Sequence, residues 1–174
     1  MSKYFNEVEK SMNFLSLKSN TIFLGQSVKY PGNLIYKTLT KVKGTKKIEL
    51  PVFEEVQLGM SLGMAMDGMF PITCFPRFDF LLCAMNQLVN HADKIKIITN
   101  NQYCPSMIIR VLVGAKKPLN GGEQHTQNYV NEIKNMLKTI KVWDLKDEKN
   151  IFLSYKNAFK NKQINLMVEY SQLY

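Results

Sequence analysis

Hydrophobic and polar positions along the chain follow two periods that take turns. Val8, Met12 and Leu15 recur at helical spacing within NEVEKSMNFL and predict an amphipathic helix near the amino terminus. TIFLG, residues 21–25, is a short apolar run closed by glycine and predicts a buried strand. NLIYKTLTKV fits either period, and KKIELPV brings a second strand to Pro51. An apolar, glycine-punctuated helix follows, beginning at Glu54 and Glu55. FPITCF then reads as a strand, FDFLLCAMNQLVNHADKI as one long helix and PSMIIRVLVG as a β-branched strand. HTQNYVNEIKNMLKT, IKVWD, EKNIFLSYKNAFKN and INLMVEY continue as helix, strand, helix and strand.

Such alternation, with near-continuous apolar strands, predicts an α/β fold: a doubly wound, mostly parallel sheet with helices on both faces and right-handed crossovers. No Pro/Gly/Ser-rich tract, low-complexity segment or internal repeat divides residues 1–174, so a single domain is expected. Ligands in such sheets sit beyond the carboxyl ends of the strands. Glu54, Phe80 and His125 each follow a predicted strand end.

Composition narrows the possibilities. No segment approaches the roughly 18 apolar residues of a membrane span, and MSKYFNEVEK mixes acids with lysines unlike a signal or transit peptide, so a soluble, cytoplasmic protein is expected. Cys74, Cys83 and Cys104 are odd in number, lack metal-type spacing and lie in apolar stretches, which predicts reduced structural thiols. With His91 and His125 as the only histidines, a zinc site from this chain alone lacks ligands. The formal charge of +9 raises nucleic-acid binding. However, Arg77 and Arg110 are the only arginines, and the lysines are spread along the whole length with no basic run among aromatics. A solvated lysine surface fits that distribution better.

The residues with chemical potential also have plain readings. Glu54 and Glu55 suit the first turn of a helix, where unpaired N–H groups and the macrodipole favour acids. Phe78, Phe80, Leu81 and Leu82 suit a core at a helix start. Gly59 and Gly63 allow close approach of another helix, within the domain or across a subunit interface. His91 is assigned no chemistry. The loop VGAKKPLNGGEQHTQ carries three glycines and His125 ahead of a helix, but neither G-x-G-x-x-G nor G-x-x-x-x-G-K-[ST] occurs. It is a ligand-loop candidate of low specificity, and a capping or surface role for His125 stays open.

Taken in order, ELPVFEEVQLGMSLGMAMDGMFPI, RFDFLLCAMNQLVNHADKI, IIRVLVGAKKPLNGGEQHTQ, IKVWDLKDEKN and NLMVEYSQLY resemble the pyrimidine-binding domain of transketolase-like thiamine-diphosphate enzymes. The likeness is closest to the amino-terminal half of the beta subunit of 2-oxo acid dehydrogenase first components. It implies that Glu54, after Pro51, Val52 and Phe53, is the carboxylate at N1′ of the cofactor's aminopyrimidine. It implies that Phe80 stacks on that ring with Phe78 nearby, and that His125 reaches the reacting substrate. A carboxyl group at N1′ favours the imino tautomer that can take the thiazolium C2 proton. Such a group works best where an apolar site raises its pKa, each unit being about 1.4 kcal/mol. Val52, Phe53, Val56 and Leu58 are its apolar neighbours in sequence.

The resemblance also implies what the chain lacks. The family holds the diphosphate and Mg2+ with a G-D-G motif and a later asparagine, and this sequence contains no GDG. A separate alpha-type subunit bearing that motif is the implied partner, in an α2β2 arrangement, with a 2-oxo acid or ketose as substrate. The sequence stops at SQLY, where a full-length beta subunit continues into a carboxy-terminal domain. The resemblance therefore implies the pyrimidine-binding subunit of a split thiamine-diphosphate enzyme carrying out decarboxylation or acyl or ketol transfer, with no assignment of lipoyl transfer. Two other readings stand beside it: a catalytically silent assembly module, and a basic nucleic-acid-binding domain.

Overall fold

The strands β1 (Thr21–Gly25), β2 (Lys47–Glu49), β3 (Phe70–Phe75), β4 (Met107–Val113), β5 (Lys141–Asp144) and β6 (Ile164–Tyr170) form one sheet in the order β2-β1-β3-β4-β6-β5. Every neighbouring pair runs parallel. This computed structural model describes residues 2–118 and 120–174. The strands fall where the apolar runs predict them, because parallel strands covered on both faces must be apolar on both. β3, β4 and β6 are buried at every position.

Helices α1 (Lys3–Ser16), α2 (Leu34–Thr38), α3 (Glu54–Met66), α4 (Phe78–Leu81), α5 (Ile95–Ile98), α6 (Val130–Met136) and α7 (Ile151–Lys160) complete the fold. Two cores lie on opposite faces of the sheet. Ile109 joins Leu58, Phe75 and Phe78 on one, and its neighbour Ile108 joins Val8, Met12, Ile35 and Tyr155 on the other. This alternation is the pleat of a strand expressed as a double core. Among the described residues no helix is long and apolar enough to cross a membrane.

A buried ion pair crosses β4 and β6. Arg110 donates through Nε and Nη2 to the two carboxylate oxygens of Glu169, at 2.8 and 2.9 Å, and both residues are fully buried. The hydroxyls of Tyr155 and Tyr174 also donate to Glu169. Burial, followed by the Glu169 charge, pushes both phenols far above their usual range. Cys74 is buried nearby, and desolvation pushes its thiol up to about 12. Cys83 and Cys104 are exposed instead, since the apolar stretches around them do not turn those positions inward.

Two helical predictions are revised. The stretch expected as one long helix changes step, from α4 through a 3-10 turn (Leu82–Ala84) to a π-helical segment (Asn86–Ala92). The wider turns keep Leu88 and Ala92 in the core while delivering the Asp93 carboxylate to the backbone N–H groups of Lys138, Thr139 and Ile140. The helix expected from His125 begins only at Val130, because the preceding backbone is held in other bonds. Gly122 O accepts from His125 N at 3.1 Å, and Asp79 accepts from Gln127 N at 3.4 Å.

Candidate functional site

The chain leaves β1 towards the edge strand β2, then returns to place β3 on the other side of β1 and moves away through β4. The loops after β1 and β3 therefore diverge, which opens a crevice beyond their carboxyl ends. The loop after β1 is fixed by Glu49 at the end of β2. Its carboxylate accepts the backbone N–H groups of Ser27, Val28 and Lys29 at 2.5, 2.9 and 2.7 Å.

Phe80 lies on α4 just past β3, and His125 lies in the loop past β4. Their rings meet edge to face with centroids 5.4 Å apart, and both are half-buried. Together they form a wall shared by two cavities. One, of about 230 Å3, is lined on its far side by Ser27, Gly32, Asn33 and Arg77. The other, of about 530 Å3, is bounded by Asp79, Glu123, Gln127 and Tyr129.

His125 is positioned by its neighbours rather than by its own loop alone. A side chain on Gly114 would collide with the His125 carbonyl oxygen, so glycine there allows the loop to close on the end of β4. Gly122, at φ +86°, makes the turn that only a residue without Cβ adopts readily. Asn128 donates to the Tyr170 hydroxyl at 3.3 Å, and Tyr170 in turn donates to Asp144 at 2.6 Å. Leu119 in the same loop lies outside the described residues.

Glu54 occupies the first turn of α3 and is half-buried, while Val52, Phe53 and Val56 around it are exposed and Leu58 alone is sealed in the core. The apolar surroundings expected from sequence are thus present but open on the chain's own surface. Glu54 lines neither of the two cavities. Glu55 is engaged within the chain, accepting from Asn86 Nδ2 at 2.9 Å. The pitch of α3 is set by Gln57, whose buried amide donates to Thr73 Oγ1 and the Cys74 carbonyl at 2.9 and 3.1 Å. Phe78 is fully buried and packs edge to face on Tyr129, 5.8 Å away, so it is a core residue with no open ring face.

The pairing of Phe80 with His125 joins two residues that sequence analysis singled out. Arg77, Asp79, Ser27 and Gly114 were not singled out as site residues. The signal for Asp79 lay in FDF, since a carboxylate between two phenylalanines needs a reason, and one of its oxygens is buried without a hydrogen-bond partner among the described residues. Ser27 carries no local signal, and Gly114 showed only as one of the three glycines of the loop after β4, because their importance comes from strands that are distant in sequence. Among the described residues, no three His, Cys, Asp or Glu side chains gather into a metal-holding group.

The six-stranded parallel α/β fold matches that of a transketolase chain. A chain described as "Split gene transketolase, inactive beta4 tetramer" superposes with a TM-score of 0.64 over 98% of this chain and 51% of its own, at 13% identity. In sequence the chain is similar to beta subunits of 2-oxo acid dehydrogenases. The 2-oxoisovalerate dehydrogenase subunit beta of Bacillus subtilis is 27% identical over 129 residues, covering 72% of this chain and 39% of that protein. The pyruvate dehydrogenase E1 component subunit beta of Mycoplasma pneumoniae is 26% identical over 157 residues, covering 86% and 48%. The chain spans less than half the length of these relatives. No protein-family profile matches it.

Proposed function

We propose that this chain is the pyrimidine-binding subunit of a thiamine-diphosphate-dependent enzyme acting on a 2-oxo acid or ketose. The observation that carries the reading is the Phe80–His125 pair, an aromatic ring and an imidazole meeting at the crevice where the sheet switches direction. Two features support the reading: Phe80 offers a half-exposed aromatic wall, and Glu54 stands amid open apolar surface that a second polypeptide would cover. When bound, thiamine diphosphate supplies a nucleophilic carbon for attack on a carbonyl.

Each residue then has a defined task. Glu54 would hold a proton at the aminopyrimidine N1′, and a partner covering Val52, Phe53 and Val56 would exclude water from it. Phe80 fixes the plane of the ring, stacking contributing about 1 kcal/mol beyond burial. The His125 imidazole exchanges a proton with the substrate oxygen. A partner carrying the diphosphate and Mg2+ site completes the enzyme in an α2β2 arrangement, a division supported by the similar proteins being named beta subunits.

The test is reconstitution with the alpha-type partner and calorimetric titration of thiamine diphosphate with magnesium. Saturable heat is expected, and Glu54→Gln should lower turnover at least about a hundredfold, the low end for proton transfer. An unchanged rate in Glu54→Gln removes the assigned role.

A further inference from the structure

We propose that Arg77, with Ser27, Asn33 and Lys37, forms an oxyanion subsite, so that the substrate carries a carboxylate or phosphate group beyond its reacting carbonyl. This deepens the reading above and rests on it for the identity of the ligand as substrate. The position is the first argument. Ser27 follows β1 and Arg77 follows β3, so the two stand on either side of the switch point of the sheet. The cavity of about 230 Å3 between them ends on the Phe80–His125 wall. A second cavity, of about 360 Å3, continues from Arg77 and Asn33 past Pro31 and Tyr36 to Lys37.

Charge is the second argument. Arg77 and Lys37 line these two cavities, and no acidic side chain does. Glu49, the carboxylate nearest the loop, is occupied by the N–H groups of Ser27, Val28 and Lys29. The contrast across the Phe80–His125 wall is sharp, since Asp79 and Glu123 lie in the opposite cavity.

The third argument is the unused bonding capacity of Arg77. The other arginine, Arg110, is fully buried and paired with Glu169. Arg77 is half-buried and has no ion pair among the described residues. Its hydrogen bond there is from Nη1 to the adjacent Pro76 carbonyl at 2.7 Å. The remaining guanidinium N–H groups form the planar fork that suits carboxylate or phosphate oxygens. Ser27 and Asn33 add a hydroxyl and an amide to the same cavity.

The experiment titrates the isotopically labelled full chain with inorganic phosphate and, separately, with succinate, at constant ionic strength against chloride. The signals followed are the Arg77 side-chain N–H and the Ser27 and Asn33 amides. Saturable shifts are expected with at least one anion, and Arg77→Gln should weaken that binding at least about tenfold, while Arg77→Lys retains part of it. Response to phosphate alone assigns a phosphorylated substrate, and response to succinate alone assigns a second carboxylate. Absence of saturation with both anions, or an Arg77→Gln chain that titrates like the parent, overturns the subsite. In the reconstituted enzyme Arg77→Gln should raise KM for an anionic substrate about tenfold or more with kcat nearly unchanged, and an unmoved KM overturns its role towards substrate. The titration uses no cofactor, so its failure is distinct from failure of the thiamine-diphosphate reading.

Discussion

The carbonyl oxygen of His125 fills the space that a side chain on Gly114 would need. The imidazole beside Phe80 is therefore set by a glycine eleven positions earlier in the chain, at the end of β4. Gly114→Ala must either push the loop outward or strain it, and overpacking of this kind costs about 1–3 kcal/mol. Urea denaturation should show that loss, and the His125 ring signals should shift. Unchanged stability with unshifted signals would show that the loop has slack at this point.

Gly63 lies in the interior of α3, exposed, with nothing within 4 Å of where a Cβ would stand. Gly63→Ala should therefore stabilise the isolated chain by about 0.5–1 kcal/mol, the cost of a helical glycine relative to alanine. Val56 and Met60 are exposed on the same helix. If that face meets a partner subunit through close backbone approach, the same substitution should weaken assembly. Sedimentation of the reconstituted complex separates the two effects, and tighter assembly would count against an interface at Gly63.

Removing one member of the Arg110–Glu169 pair leaves a fully buried charge without its partner. Glu169→Ala should cost about 3–5 kcal/mol in urea unfolding. The joint replacement Arg110→Met with Glu169→Leu should recover most of that loss, since a packed apolar pair carries no desolvation penalty. A double variant as unstable as the single one would show that the tyrosine hydroxyls on Glu169, rather than the charge pair, dominate the cluster.

Acid should loosen the contact between Asp93 and residues 138–140. Burial raises the Asp93 carboxyl, but hydrogen bonds from Lys94 and from the backbone of Thr139, Ile140 and Lys138 outweigh it, so its folded pKa lies below the ordinary 3.8. A depressed carboxylate contributes stability that is fully present above 3.8 and is lost as pH falls through the lower folded value. Asp93→Asn should be less stable near neutral pH and should flatten the fall in stability below about pH 4. Parallel acid titrations of parent and variant would contradict this contribution.

The inner strands were legible because burial on both faces leaves near-continuous apolar runs, and TIFLG, FPITCF and INLMVEY coincide with strands in the fold, whereas the edge strands β2 and β5 are only partly buried. The helices were less legible. The switch of step between Phe78 and Ala92, and the late start of α6, depend on bonds to Asp93 and Asp79 from distant loops, which local periodicity does not register. Among candidate site residues, Phe80 and His125 were visible by position after strand ends, whereas Phe78 is core through its packing on Tyr129.

By itself the sequence determined the class of fold, the order of strands and helices, and the types of residue placed after each strand. The tertiary structure decided which of those residues meet. It set Arg77 opposite Ser27, turned Phe80 to His125, and left the apolar surroundings of Glu54 open. The reason is physical. Periodicity follows from which face of an element is buried, a local property, whereas a site at a switch point is made by loops from strands that become neighbours only when the sheet assembles.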